Sequence, residues 1–253
     1  MKEIRIFNIK VHPLLKAEFL DIVLTNLKKG NQIVQSGINA ASILELIHNE
    51  ALIQAYNNSN LVNIDGMSVV WALRFLGIDV PERVACPDLA DDILKIADKN
   101  NYRVFLFGAK EESVTLSARK VAKSYPGLIL SGHRNGYYNS DEEQLIVKMI
   151  NNVNPDILFL GLPSPKKEFF VEKYKNQLNA RYILGVGGYF DILSGITKRA
   201  PNWIQSIGME WFFRFLQEPR RMWRRYLIGN SKFIWLVLKE KIKGSQKHKI
   251  YVK

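Results

Sequence analysis

Carboxylates, cations and small residues gather where the apolar runs of this chain end. Ser36-Gly37-Ile38-Asn39 closes the run 32–36, and Asp65-Gly66-Met67-Ser68 follows 61–64. Gly108-Ala109-Lys110 follows 103–107, and Gly161-Leu162-Pro163-Ser164-Pro165-Lys166-Lys167-Glu168 follows 156–160. Gly187-Gly188-Tyr189-Phe190-Asp191 follows 182–186. If these runs are strands of an open α/β sheet, ligands bind at their carboxyl ends. Small residues there let the backbone approach a ligand, and the helix after each strand offers free N–H groups to an anion. No segment reads Gly-x-x-x-x-Gly-Lys-Ser/Thr, so a Walker-type phosphate loop is excluded. No Gly-x-Gly-x-x-Gly stands at the first strand, and Gly185-x-Gly187-Gly188 is a late fragment of it. That weighs against a dinucleotide-dependent oxidoreductase.

Among the carboxylates, Asp65 stands out at a strand end, before Gly66 and with no cation adjacent in sequence. It suits a general base that takes a proton from an attacking hydroxyl. From position alone, an N-cap for a helix starting near Met67 is the commoner job. Asp191 has the same ambiguity, and Glu168 fits an ordinary first-turn helix residue. Arg221, Arg224 and Arg225 share a helical face by i, i+3, i+4 spacing, which suits bidentate contacts to a diphosphate. They would equally serve as arginines snorkelling at a membrane. Arg83 reads by default as a solvated loop cation.

The elements that must position these residues follow from the hydrophobic pattern. Strands are expected at 4–11, 32–36, 61–64, 103–107, 128–131, 156–160 and 182–186. Continuous apolar blocks such as Val104-Phe105-Leu106-Phe107 suit strands buried on both faces. Helices are expected at 40–56, 89–99, 111–124 and 141–153. The alternation predicts an α/β fold, a Rossmann-like, mostly parallel sheet flanked by helices. From Pro201 onward only helix is expected, with Ile204, Ile207, Gly208, Trp211, Phe215 and Leu216 on one face and an interruption at Pro219. The expected division is a core at 1–195 and a helical, basic appendage at 196–253.

Charge reinforces that division. Of the net +12, the last 57 residues hold 14 Lys+Arg against 3 Asp+Glu, whereas the first 196 hold 22 against 21. Four of the five tryptophans (Trp203, Trp211, Trp223, Trp235) lie in the same basic stretch. An anionic membrane surface is favoured over nucleic acid, because the apolar residues there are too many and too bulky for a phosphate-binding stripe alone. No apolar run approaches the ~20 residues of a membrane span. The single cysteine, Cys86, excludes an intramolecular disulfide and a cysteine-rich zinc site. The four histidines match no helical metal-ligand spacing. The amino terminus carries no apolar signal core, so residence in the cytoplasm is expected.

Taken together, several segments resemble the WecG/TagA/CpsF glycosyltransferases. They are Asp65-Gly66-Met67-Ser68-Val69-Val70, Pro81-Glu82-Arg83-Val84 with Pro87-Asp88-Leu89, Ser164-Pro165-Lys166-Lys167-Glu168 and Gly185-Val186-Gly187-Gly188 with Asp191. Lys198-Arg199-Ala200-Pro201 and Glu210-Trp211 through Arg214 to Gln217-Glu218-Pro219-Arg220-Arg221 continue the likeness, in order, over about residues 31–243. The resemblance implies an inverting, metal-independent enzyme without a cofactor, peripherally bound to the inner face of the bacterial plasma membrane. It would move a hexose-type sugar (N-acetylmannosamine, its uronic acid or a related sugar) from a UDP donor to a sugar on undecaprenyl diphosphate. The product would feed teichoic acid or another surface polysaccharide. The resemblance makes Asp65 the base and puts Asn39 near donor and acceptor. It makes Arg83 an active-site arginine and lets Arg214, Arg221 and Arg224 close over the diphosphate.

Two departures stand out. The family usually has Thr where this chain has Gly37, so a hydroxyl contact is missing unless Ser36 substitutes. Lys167 stands where glutamine is usual, which would add a charge beside the nucleotide. Ser36, Asn39, Gly108, Lys166, Lys167, Glu168, Gly187, Gly188 and Asp191 are the expected substrate-binding residues. The expected partners are the donor, the lipid-linked acceptor and the anionic membrane surface, without nucleic acid; a homo-oligomer is left open. The competing expectation is a non-enzymatic Rossmann-like module that holds RNA or anionic lipid by its basic tail.

Overall fold

The computed structural model describes residues 1–242 and 250–252, and of Arg221, Arg225 and residues 250–252 the backbone only. Six parallel strands form the main sheet, in the order β4 (Leu61–Ile64), β3 (Ile33–Ile38), β8 (Tyr182–Gly185), β7 (Ile157–Gly161), β5 (Arg103–Gly108), β6 (Ile129–Arg134). The expected α/β class is therefore observed. Parallel neighbours need crossovers, and the helices that supply them cover both faces.

Along β5, Val104 and Leu106 face one layer, and Phe105 and Phe107 the other. The first layer is α1 (Lys16–Lys29), α5 (Cys86–Asn100), α6 (Glu111–Ser124) and α9 (Tyr189–Leu193), through Phe19, Val23, Leu89, Ile93, Val114 and Phe190. The second is α7 (Glu143–Asn152) and α8 (Lys166–Tyr174), through Ile146, Ile150, Phe170 and Tyr174. A third cluster fills the β4 end of the sheet. It joins α2 (Ala40–Leu46), α3 (Glu50–Asn57) and α4 (Met67–Phe75) to a small antiparallel sheet.

That small sheet corrects the single strand expected at 4–11. The chain turns back at Phe7 and Asn8, both at positive φ (51° and 65°), so β1 (Lys2–Ile6) and β2 (Ile9–Val11) form a hairpin outside the parallel sheet. The helix expected at 40–56 breaks in two, because Asn49 accepts the Leu52 N–H and starts a new helix.

The C-terminal segment is helical but not one amphipathic rod. It runs through α10 (Asn202–Ser206), α11 (Glu210–Gln217), α12 (Pro219–Trp223), a wider π turn at Arg224–Ile228 and α13 (Gly229–Ile242). Gly208, at φ +77°, makes the break between α10 and α11 that the apolar periodicity hid. Phe233 and Val237 of α13 are buried in the same cluster as Ile43 and Leu46 of α2. The expectation of helix alone after Pro201 fails at β9 (Ile250–Val252), which pairs antiparallel with β1. Among the described residues, no helix is long and apolar enough to cross a membrane.

Candidate active site

The strand order brings the carboxyl ends of β4, β3 and β8 side by side, each about 5 Å from the next. Asn39 follows β3, Asp65 follows β4, and Gly187-Gly188 follows β8, so these three share one mouth. Asp65 does act as a helix cap, but not for the helix expected. Its Oδ1 accepts the N–H of Cys86, first residue of α5, at 2.8 Å, while α4 starts from Gly66 without a side-chain cap. Oδ2 has no hydrogen bond among the described residues. Asn39 caps α2, its Oδ1 accepting from Ala41 and Ser42 at 3.1 Å. Only its Nδ2 remains to donate to a ligand. The two loops touch, because a Cβ on Gly66 would lie 2.9 Å from that of Asn39.

Gly37 explains its own departure from the family pattern. A Cβ there would lie 2.3 Å from Cys86 Sγ and 3.3 Å from the Cβ of Asp65. The thiol thus occupies the space of a side chain at 37. Burial, and then the nearby Asp65 carboxylate, push its pKa up, so it is a neutral filler. Ser36 does not substitute for the missing hydroxyl, since its Oγ is buried against Ser59 Oγ at 3.0 Å.

A chain of buried polar groups lies behind Asp65. Tyr182 Oη donates to Gln35 Oε1 (2.7 Å), Gln35 Nε2 to Asn63 Oδ1 (3.0 Å), and Asn63 Nδ2 to the Val84 carbonyl (2.7 Å). Every link is paired, which is the condition for placing amides in a sheet interior. The chain anchors the segment that carries both Arg83 and the Cys86 N–H.

Lys166 and Lys167, adjacent in sequence, part company. Lys166 lines a cleft of about 550 Å³ at the ends of β5, β6 and β7, with Tyr137, Tyr138, Asn139, Glu142 and Gly161. Its ammonium donates to the Gly136 and Tyr138 carbonyls at 3.3 Å and lies over the Tyr138 ring. Burial draws its pKa down. Gly108, expected at the site, is not among the residues lining the cleft; at φ +138° it packs against the Gly161 backbone, where a Cβ would lie 2.3 Å from the carbonyl carbon.

Lys167 does not add free charge to this cleft. It is buried with Glu168, Nζ 2.9 Å from Oε1, and its stem crosses Gly185. The contact is ionic with poor angles, so both Glu168 oxygens are buried without a hydrogen bond. Burial alone would lower the lysine pKa; Glu168 and then Tyr56 outweigh it, and the net direction is upward. Asp191 is likewise held internally, accepting from Ser113 Oγ at 2.7 Å.

The arginines also separate. Arg214, on α11, reaches the Gly187-Gly188 turn, its Nη2 standing 3.3 Å from where a Gly188 Cβ would sit. Its Nε is buried with no hydrogen-bond partner. Arg83 pairs with Glu210 of the same helix, Nη1 to Oε2 at 2.9 Å. Arg224 is exposed and rests on the Trp223 ring. The side chain of Arg221 lies outside the described residues. Arg199, Glu210 and Cys86 had no role assigned from sequence. The first two lie in the motifs Lys198-Arg199-Ala200-Pro201 and Glu210-Trp211, the only signal they gave.

The sequence profile of the Glycosyl transferase WecG/TagA/CpsF family matches residues 4–247. The chain belongs to that family. The WecG/TagA/CpsF relatives include the N-acetylglucosaminyldiphosphoundecaprenol N-acetyl-beta-D-mannosaminyltransferase of Bacillus subtilis (strain 168). It is 32% identical over 207 residues, 82% of this chain and 79% of the relative. The protein of the same name from Staphylococcus aureus (strain MW2) is 32% identical over 200 residues, 79% of this chain and 76% of its own. The family makes the chain a glycosyltransferase.

Proposed function

We propose that this glycosyltransferase moves N-acetylmannosamine, or a closely related hexose-type sugar, from a UDP donor to a sugar carried on undecaprenyl diphosphate, with inversion. The observation that carries the reading is a carboxylate and a guanidinium at one mouth, Asp65 Oδ2 and Arg214 over the Gly187-Gly188 turn, neither with a hydrogen-bond partner among the described residues. Asp65 takes the proton of the acceptor hydroxyl, and that oxygen attacks the anomeric carbon. The bond from that carbon to the β-phosphate oxygen breaks on the opposite side, hence inversion. The departing diphosphate gains negative charge, which Arg214 meets with hydrogen bonds and a full positive charge. Arg224 and Arg221 stay as further cations of the same segment. The charge comes from arginine, so the proposed reaction needs no metal. The nucleotide lies toward the cleft lined by Lys166 and Tyr137, whose volume suits a ligand of that size.

The names of the relatives support the acceptor class. Peripheral attachment to the inner face of the membrane is supported by a basic C-terminal segment with exposed apolar residues, among them Trp203 (67% exposed), Trp235 (62%) and Ile242 (85%). Binding to mixed oligonucleotides in preference to phosphatidylglycerol vesicles would overturn that attachment.

The test is sugar transfer from UDP-N-acetylmannosamine to a short-chain lipid diphosphate acceptor, with Asp65→Asn as the variant. The amide keeps an oxygen for the Cys86 N–H, so the fold persists, while turnover falls about 10²–10⁴-fold. Near-normal turnover would remove Asp65 as base, and complete loss of wild-type activity on EDTA treatment would remove the metal-free scheme.

A further inference from the structure

We infer that Glu210 is a positioning residue: clamped between Arg83 and Arg199, it seats α11 so that Arg214, one turn further along the same face, lies over the Gly187-Gly188 turn. The inference rests on the proposed role of Arg214 and adds what holds that arginine in place.

Arg214 has little of its own to fix it. Its Nε is buried without a hydrogen bond, and no hydrogen bond or ion pair of its guanidinium is found among the described residues. A long flexible cation left so would be expected to swing to solvent, because burying an unpaired charge is costly. What keeps it must therefore act on the helix. α11 is short, eight residues, and none of them is fully buried. Apolar packing is accordingly a weak anchor, and a polar one is needed.

Glu210 supplies it. Its Oε2 accepts from Arg83 Nη1 at 2.9 Å, and its Oε1 lies 3.5 Å from Arg199 Nε. Arg199 Nη1 in turn meets Asp88 Oδ1 at 2.6 Å. The four charges alternate as Arg83–Glu210–Arg199–Asp88. All but Asp88 are mostly shielded: the side chains of Arg83, Glu210 and Arg199 are 14%, 17% and 18% exposed. Shielded pairs of this kind are far less screened than surface ones. Two members, Arg83 and Asp88, come from the core beside Asp65, and two from the segment after Gly195. The clamp therefore joins α11 to the segment that gives Asp65 its hydrogen bond. Residues four apart lie on one helical face, about 6 Å along the axis, so a seated Glu210 fixes where Arg214 emerges. Arg83 then works as half of a socket for α11 and contributes to the site through Arg214.

A double-mutant cycle in the full-length protein tests this. Glu210→Gln should lower kcat for sugar transfer about 10²-fold, the scale of a catalytic group displaced by ~1 Å. In the Arg214→Ala background the same change should cost under threefold, since nothing is left to position. An equal loss in both backgrounds overturns the inference and returns Arg83 or Glu210 to a direct role. A readout independent of transfer accompanies it. Tryptic cleavage within residues 196–209 should speed up at least tenfold in Glu210→Gln, and an unchanged rate refutes the clamp. If the wild-type protein transfers no sugar from any UDP donor, the proposed reaction fails, while the proteolysis arm still decides whether Glu210 seats α11.

Discussion

Gly37→Ala is the change whose cost the structure sets most directly. The new Cβ would lie 2.3 Å from Cys86 Sγ, where non-bonded carbon wants ~3.5–4.0 Å. One of the two must retreat by roughly 1.2 Å, the shortfall from the lower end of that range. Gly37 is pinned, since its carbonyl accepts from the Tyr56 hydroxyl at 3.2 Å and its strand is paired on both sides. Cys86 is pinned as well, through its N–H to Asp65 and Sγ to Asn63. Overpacking without room to relax costs about 1–3 kcal/mol. For a chain of this size that is a fall of roughly 2–4 °C in Tm per kcal/mol. Cys86→Gly alone should cost about 1 kcal/mol for the emptied space. The double variant should recover about 1–2 kcal/mol against the sum, because deleting the thiol frees the space the new methyl needs. Urea denaturation of the four proteins gives the coupling directly. Additive costs would show that residues 37 and 86 do not compete for one space, and the account of why this chain lacks the usual threonine would fall.

Two further expectations concern buried charge. His12 is buried, its Nδ1 accepting the Val62 N–H, and burial followed by repulsion from Lys10 lowers its pKa to about 4. The folded value lies below the unfolded one, so stability is full above about pH 6.5 and is lost as pH falls toward 4, about 2 kcal/mol by pH 5. His12→Asn should flatten this dependence in urea titrations at pH 7 and pH 5; equal losses in both proteins would refute it. Lys167→Met strands the buried Glu168 carboxylate and should cost about 3–5 kcal/mol, whereas Lys167→Gln, whose amide N–H can turn to donate to it, should cost clearly less. A loss under about 1 kcal/mol for the methionine variant would show that Glu168 is protonated or solvated.

The α/β class, the strand ends and the helical basic tail were legible because each rests on local pattern. Short apolar blocks such as 157–160, set between turn residues, suit strands buried on both faces, and most strand limits fall within two or three residues of the pattern. Local pattern failed where a single backbone conformation decides. Phe7 and Asn8 at positive φ turn one apparent strand into a hairpin, and Gly208 cuts one apparent amphipathic helix into two. The strand β9 was missed because a three-residue strand exists only through its partner, β1.

The site divides the same way. The sequence alone determined which residue types stand at the strand ends and, through ordered motifs, the family. It could not determine which of them face the mouth, because neighbours in sequence are sent to different surroundings by packing. Lys166 reaches the cleft while Lys167 is buried with Glu168, and Asn39 stays at the mouth while the Ser36 hydroxyl is buried against Ser59. Nor could it connect Arg83 to Glu210, 127 positions away, since an ion pair leaves no periodicity. Those partnerships are properties of distance in the folded chain, and only the tertiary structure decided them.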